Sequence, residues 1–411
     1  MIDTALLASR LRDARERRSL SQQSVADVLK LPRTAITFIE SGERAVSTLE
    51  LTKLAALYGQ SPAFFLSQAN EVEDISLVLH RALPEIKDTP EMEREVQNIL
   101  DLYQEAASLR EVLRGRTDDL AVPNYATRLY SAGDAIRQGE SVAQEERRRL
   151  GLGFAPIAHV AGLIGEQGIW TAATDLPEGL SGLFINHPAT GPAVLVNALH
   201  WPARRRFSYA HEYAHALFDR DMTVTTTRRE NASELLEKRA NAFAAAFLMP
   251  PDGVTEALRQ LDKGGPSKTQ RVIFDVAGNQ GVEAEIRTRP GSQAITCQDV
   301  ILLARHFGVS YEAMVWRLKS LNHINKPETA ALLEQKETAK RAIRLFKFND
   351  LLDDGDGLPP PEPELRDDLM YLAIEAYGQG EISRGRLFEL AGKVGVDGAE
   401  LLEFADATRA E

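Results

Sequence analysis

The apolar positions of the first 69 residues fall in short runs at helical spacing. Leu6, Leu7, Leu11 and Ala14 share one face, and Val25, Ala26 and Leu29 share another within Ser21 to Leu29. A tight turn leads to PRTAITFIE (Pro32 to Glu40), where Pro32 suits a first helical position because its missing N–H is no loss there. Ala35, Ile36 and Ile39 face inward in that segment, and SGER (Ser41 to Arg44) breaks it. Ser47 to Glu50 has the S-x-x-E form of a capping box before the run LTKLAALYG, and SPAFFL closes the unit. The pattern predicts five short helices around one core.

Further along, Glu71 to Arg116 is charged and helical, with Met92, Val96, Ile99, Leu102 or Tyr103, and Leu109 on one face. It reads as a connecting or dimerising helix. Pro123 marks a boundary, and 124–150 is helical again. Short apolar bursts between Gly and Pro in GLIGEQGIWTAATDLPEGLSGLFIN, then AVLVN, predict strands. From 203 the pattern is helical through Met249, where Pro250 and Pro251 stop it. Residues 262–295, rich in Gly, Ser, Arg and Gln, read as loops, and a helical block runs to about 348. DDGDGLPPPEPE reads as a linker before a helical end. The expected segments are 1–69, a helical linker 70–122, a core 123–260, an extension 261–352, a linker 353–364 and a helical segment 365–411. The fold class is α+β, mostly helical.

Charge sharpens this division. The chain of 411 residues carries a net charge of −12, but residues 1–69 hold nine Lys/Arg and seven Asp/Glu, leaving −14 for the rest. A locally basic head on an acidic body is compatible with DNA binding through the head. One cysteine, Cys297, excludes an intramolecular disulfide and a cysteine-based zinc site. No uncharged apolar run approaches the roughly 20 residues that span a bilayer, and the N-terminus has no secretory pattern, so the expected address is the cytoplasm with no membrane partner.

Two short helices joined by a tight turn, inside a helical bundle, make the helix-turn-helix plan. Arg33, Thr34 and Thr37 fall on the exposed face of the second helix, positioned to reach base edges, and Gln22 and Gln23 open the preceding helix, where a phosphate is commonly clamped. The stretch LSQQSVADVLKLPRTAITFIESGERAVSTLELTKLAALYG resembles the lambda-repressor-like, XRE-type helix-turn-helix family. Lys30 departs from it, standing where many members have Gly. The resemblance implies double-stranded operator DNA as partner, a homodimer on paired half-sites, and contacts from Gln22, Gln23, Arg33, Thr34, Thr37 and Arg44.

A second constellation is His211-Glu212-Tyr213-Ala214-His215, an H-E-x-x-H sequence on a helix. Positions i and i+4 share a helical face, so two imidazoles can bind one metal ion, and the Glu beside the first is placed to act as general base. Zinc needs a third protein ligand. Glu237, on the helix ELLEKRANAFAAAFLMPP, is the first candidate, with Asn241 four residues on as a hydrogen-bond partner for a ligand; Glu230 and Glu234 are rivals.

AVLVN, RRRFSYAHEYAHALF and EKRANAFAAAFLMP together resemble the ImmA/IrrE-type metallopeptidases, a family named for proteins that cleave repressors of mobile elements or of DNA-damage genes. The resemblance implies a zincin-like domain with a small sheet and helical C-terminal extensions. It makes His211, His215 and Glu237 ligands of Zn²⁺, with Mn²⁺ an alternative, and Glu212 the base. The expected function is a DNA-binding regulator whose endopeptidase cuts itself or a partner repressor under stress such as DNA damage, with single-stranded DNA a candidate activator. Extended substrate would pair along Ser181–Asn186 or Ala193–Asn197, and the segment from Asp118 to Tyr125 is a candidate for self-cleavage. The alternative is a non-catalytic repressor whose peptidase-like body is a sensor or dimerisation scaffold.

Overall fold

The computed structural model describes residues 4–17, 20–58, 65, 90–114, 122–125, 127–187, 191–228, 234–263, 268–275, 280–287, 293–352 and 364–409. The chain divides into two compact units, Met1–Glu73 and Asp74–Glu411.

The first unit holds helices α1 (Thr4–Arg17), α2 (Gln22–Leu29), α3 (Arg33–Glu40) and α4 (Thr48–Tyr58). Leu11, Val25, Ala26, Ile36, Ile39, Leu54 and Tyr58 form its core, with Phe65 set edge-on against Tyr58; the rest of the SPAFFL segment, apart from Phe65, lies outside the described residues. Ser21 caps α2 by accepting from the Ser24 N–H. Lys30 ends α2 in the left-handed region (φ 57°), which costs a residue with a Cβ roughly 1–2 kcal/mol. Pro32 is the N-cap of α3 rather than its first residue, because its extended backbone (ψ 145°) precedes the helix. The capping box before α4 is formed in both directions: Ser47 Oγ accepts from the Glu50 N–H, and the Glu50 carboxylate accepts from the Ser47 N–H.

The second unit is built on a four-stranded sheet of β1 (Trp170–Thr174), β2 (Leu180–His187), β3 (Gly191–Asn197) and β4 (Val224–Arg228), in the order β1-β3-β2-β4. β1 runs parallel to β3, and β2 is antiparallel to both of its neighbours. Both sheet faces are covered, which is why its central strands read as unbroken apolar runs. Phe184, Val194 and Val196 face α8 (Pro202–Phe218) and its partners, whereas Leu183, Ile185, Ala193 and Leu195 face a second core. The first core takes in α6 (Ala132–Arg149), α7 (Val160–Gly165), α9 (Leu235–Leu248), α10 (Pro251–Gln260), α11 (Cys297–Phe307), α12 (Tyr311–Ser320), α13 (Lys326–Glu334) and α14 (Lys336–Leu345). The second is made by α5 (Pro90–Arg114), α15 (Glu364–Gln379), α16 (Arg384–Val394) and α17 (Gly398–Arg409).

Several expectations are corrected. Val96, Ile99, Leu102, Tyr103 and Leu109 of α5 are buried against the sheet and the C-terminal helices, so this face is not available for dimerisation. The remainder of the 70–122 linker lies largely outside the described residues, as does most of 353–364. The helix expected from 203 through Met249 is two helices with β4 between them; its Thr-rich sequence suits a strand through β-branching, with little apolar signal. Within 262–295, β5 (Lys268–Asp275) and β6 (Gln280–Arg287) pair as an antiparallel hairpin, which polar composition disguised as loop. β2 and β3 are interior strands, each hydrogen-bonded on both sides, so neither is open to strand addition. The strands at the ends of the order are β1 and β4. No helix of the described residues is long and apolar enough to cross a membrane.

Candidate metal centre

α8 starts with Pro202 at its first turn and runs beneath β2 and β3. His211 and His215 lie one turn apart on it, both buried. α9 packs across α8 through aromatic contacts, Tyr213 against Phe243 and Phe247 and Phe218 against Phe243. That packing brings in Glu237. His211, His215 and Glu237 each offer a donor atom within 4.8 Å of the others. The rival Glu234 sits at the N-cap position of α9, outside this group, and Glu230 lies outside the described residues.

The hydrogen bonds around the imidazoles decide which nitrogens are available. His211 Nδ1 is 3.0 Å from Asn241 Oδ1, an acceptor, and His215 Nδ1 is 2.8 Å from Asp219 Oδ2. Both Nδ1 atoms therefore carry the proton, leaving lone pairs on both Nε2 atoms. Those lone pairs face each other at 3.2 Å and face Glu237 Oε2 and Oε1 at 3.2 and 3.5 Å. Glu237 Oε2 is buried without a hydrogen-bond donor. Two ring nitrogens and a carboxylate oxygen converging in this way make a cation site. A set of two imidazoles and one carboxylate fits a divalent ion such as zinc. The same demand for positive charge shows in the titration of the group. Burial resists a charge on His215, yet its bonds to Asp219 and Glu237 prevail and raise it to about 10. Burial also acts to raise Glu237, but the two histidines outweigh it and bring the carboxyl down to about 2.

Behind His215, Asp219 Oδ1 accepts from Arg239 Nη2 at 2.6 Å, and the Arg239 guanidinium lies over the Phe218 ring and reaches the Thr127 carbonyl. Asp219 and Arg239 thus orient the second imidazole, a role absent from the sequence reading. The signal was available: Asp219 follows His215 by four residues, at the C-cap of the same helix.

Glu212 is fully buried and its carboxyl lies against β2, in space left by Gly182. A Cβ at position 182 would stand 2.7 Å from Glu212 Oε1. Burial raises its pKa, against the pull of His211 and His215. Both of its oxygens lack a hydrogen-bond partner; the Thr227 hydroxyl of β4 approaches them without reaching bonding geometry.

In the head, Arg33 and Thr34 are exposed on α3. Thr37 is exposed too, but its hydroxyl donates to Gln22 Oε1 at 3.2 Å, and Gln22 Nε2 donates to Glu40 Oε2 at 2.9 Å. Glu40 in turn takes both Nε and Nη2 of Arg15. This chain fixes α3 against α1 and α2. Gln23 bonds Asp27, and Arg44 pairs with Glu50 at 2.6 Å. The Arg204-Arg205-Arg206 run is used internally: the three donate to the Ser181 hydroxyl and to the carbonyls of Ala198 and Gly308 respectively.

The family comparisons agree with both halves. A model of the helix-turn-helix family matches residues 11–65, and a model described as the IrrE N-terminal-like domain matches residues 164–267. The chain therefore joins an XRE-type DNA-binding domain to an IrrE-like domain of metallopeptidase-like fold. Comparison with curated proteins finds no match.

Proposed function

We propose that this protein is a transcriptional regulator in which residues 1–69 bind operator DNA and the IrrE-like body is a zinc-dependent endopeptidase. The reading is carried by the convergence of His211 Nε2, His215 Nε2 and a Glu237 oxygen, with the Glu212 carboxyl next along the helix. An ion held there supplies Lewis acidity toward water and a peptide carbonyl. Glu212 takes a proton from water at its carboxylate and passes it to the leaving amide nitrogen. Burial favours the protonated carboxyl that the second transfer requires. An extended substrate pairs with β4, the end strand whose Thr227 lies nearest Glu212, rather than with β2 or β3.

The substrate we favour is a repressor, either this chain or a separate protein, cut in response to stress such as DNA damage. Within the chain, a cut between Val122 and Tyr125 is disfavoured. Arg220 bonds the Val122 and Pro123 carbonyls, and the Tyr125 N–H donates to Leu217.

One observation favours a second reading, in which the body is a sensor or scaffold: the three ligand candidates and Glu212 are all buried, with no more than 2% exposure. The experiment that separates the two compares wild type with Glu212→Gln. Purified protein is incubated with Zn²⁺ or Mn²⁺, with and without single-stranded DNA, and the two strains are compared under DNA damage. On the peptidase reading, wild type loses its own full-length band or that of a second repressor and Glu212→Gln loses neither. Equal derepression in both strains with no fragment gives the scaffold reading.

A further inference from the structure

The exposed face of α3 carries a residue that polar recognition chemistry does not use. At about 100° per residue, Arg33, Thr37, Thr34 and Phe38 succeed one another across a single arc of about 140°. All four are exposed, while Ile36 and Ile39 occupy the opposite side in the head's core. Phe38 leaves 47% of its surface open and takes no part in that core among the described residues. Its direction is set by its neighbours in sequence. Ile39 is anchored in the core, and Glu40 is held by Arg15 and Gln22.

Polar partners gain nothing from a phenyl ring. A phosphate backbone asks for cations and hydrogen-bond donors. The major groove offers one apolar feature, the 5-methyl group of thymine, and aromatic contact with it is a recognised form of base reading. Phe38 stands about one helical turn, roughly 6 Å, beyond Thr34, which spans about two base-pair steps. Arg33 and Thr34 occupy the N-terminal end of α3, the end that a helix-turn-helix presents to base edges.

We propose that Phe38 is a specificity-determining residue that reads the methyl group of a thymine in each half-site, about two base pairs beyond the base faced by Thr34. The inference rests on the DNA-binding reading of the head and adds the chemistry of one base to it.

The test uses the full-length protein and an operator recovered by selection from random duplexes. Each thymine is replaced in turn by uracil, which removes the methyl group and keeps the base pair. Wild type is expected to lose about fourfold in affinity at one thymine per half-site, the worth of one buried methyl group, and about fifteenfold when both half-sites are changed. Phe38→Ala binds the thymine and uracil duplexes equally, and Phe38→Leu keeps most of the discrimination. Because the side chain is exposed, neither substitution disturbs the core. Unchanged wild-type affinity with uracil at every position overturns the proposal. So does a Phe38→Ala protein that weakens on all sequences alike and also self-associates less in sedimentation, since the ring then packs on a second copy. Recovery of no preferred sequence overturns the DNA-binding reading itself, and this inference with it.

Discussion

Asp219 serves two partners at once, holding the Nδ1 proton of His215 and neutralising Arg239. Asp219→Asn keeps the shape but removes the charge, and zinc affinity is expected to fall about 10–100-fold in competition with a chromophoric chelator. Asp219→Ala goes further by leaving the Arg239 guanidinium buried and unpaired, and should cost about 3–5 kcal/mol in urea denaturation. Gly182→Ala acts on the other side of the site. Its Cβ would meet the Glu212 carboxyl, so metal content should stay unchanged while peptide hydrolysis drops about 100-fold. Helical periodicity put His211 and His215 on one stripe and Glu237 and Asn241 on another in the sequence, but it left Glu230 and Glu234 as rivals to Glu237, because the meeting of two helices is not a local pattern. Gly182 was not legible. Its contact with Glu212 spans 30 residues and joins a strand to a helix, and no local pattern encodes it.

At the level of elements, α9 is held in place as much by α6 as by α8. Gly139 of α6 lies against the backbone of α9, and a Cβ there would clash with the Arg239 carbonyl and stand 2.8 Å from the Phe243 nitrogen. Backbone atoms cannot swing aside as a flexible side chain does. Gly139→Ala should therefore destabilise the protein by about 1–3 kcal/mol, read from thermal unfolding. Because α9 carries Glu237, the same substitution should weaken zinc binding, whereas a loss of stability with unchanged zinc affinity would show that α9 keeps its place without α6. α8 and α9 could be read in advance since their apolar stripes recur at the helical period. β4 could not, since VTTTR offers β-branched side chains but little hydrophobic alternation; the β5–β6 hairpin did carry a strand signal, Val272-Ile273-Phe274 and the alternating Val282, Ala284 and Ile286, which the polar composition of 262–295 as a whole masked. The helicity of α5 was legible, and the destination of its apolar face was not: a stripe looks the same whether it meets a second copy or its own sheet.

On the scale of the whole molecule, segments far apart in sequence close one core. Arg386 and Lys393 of α16 both pair with Glu105 of α5, and Arg110 stacks over Trp170 of β1. Removing residues 353–411 would uncover Trp170, Leu183, Ile185 and Leu195. Such a protein is expected to be recovered mostly in the insoluble fraction, and any soluble part to bind a hydrophobic dye. A truncated protein that stays soluble and binds zinc as tightly as the full chain would mean that α5 alone covers that face. The helical character of the C-terminal segment was readable from its spacing, but its attachment to the sheet depended on pairings across more than 250 residues. β2 is where the two cores meet: Gly182 and Phe184 look toward α8, and Leu183 and Ile185 toward the C-terminal helices. It is a party wall with a tenant on each side. A change in the C-terminal rooms that shifts this wall by a few tenths of an ångström moves the surface against which the Glu212 carboxyl rests, so lesions in the last helices of the gene product are felt at a site encoded well over a hundred codons earlier.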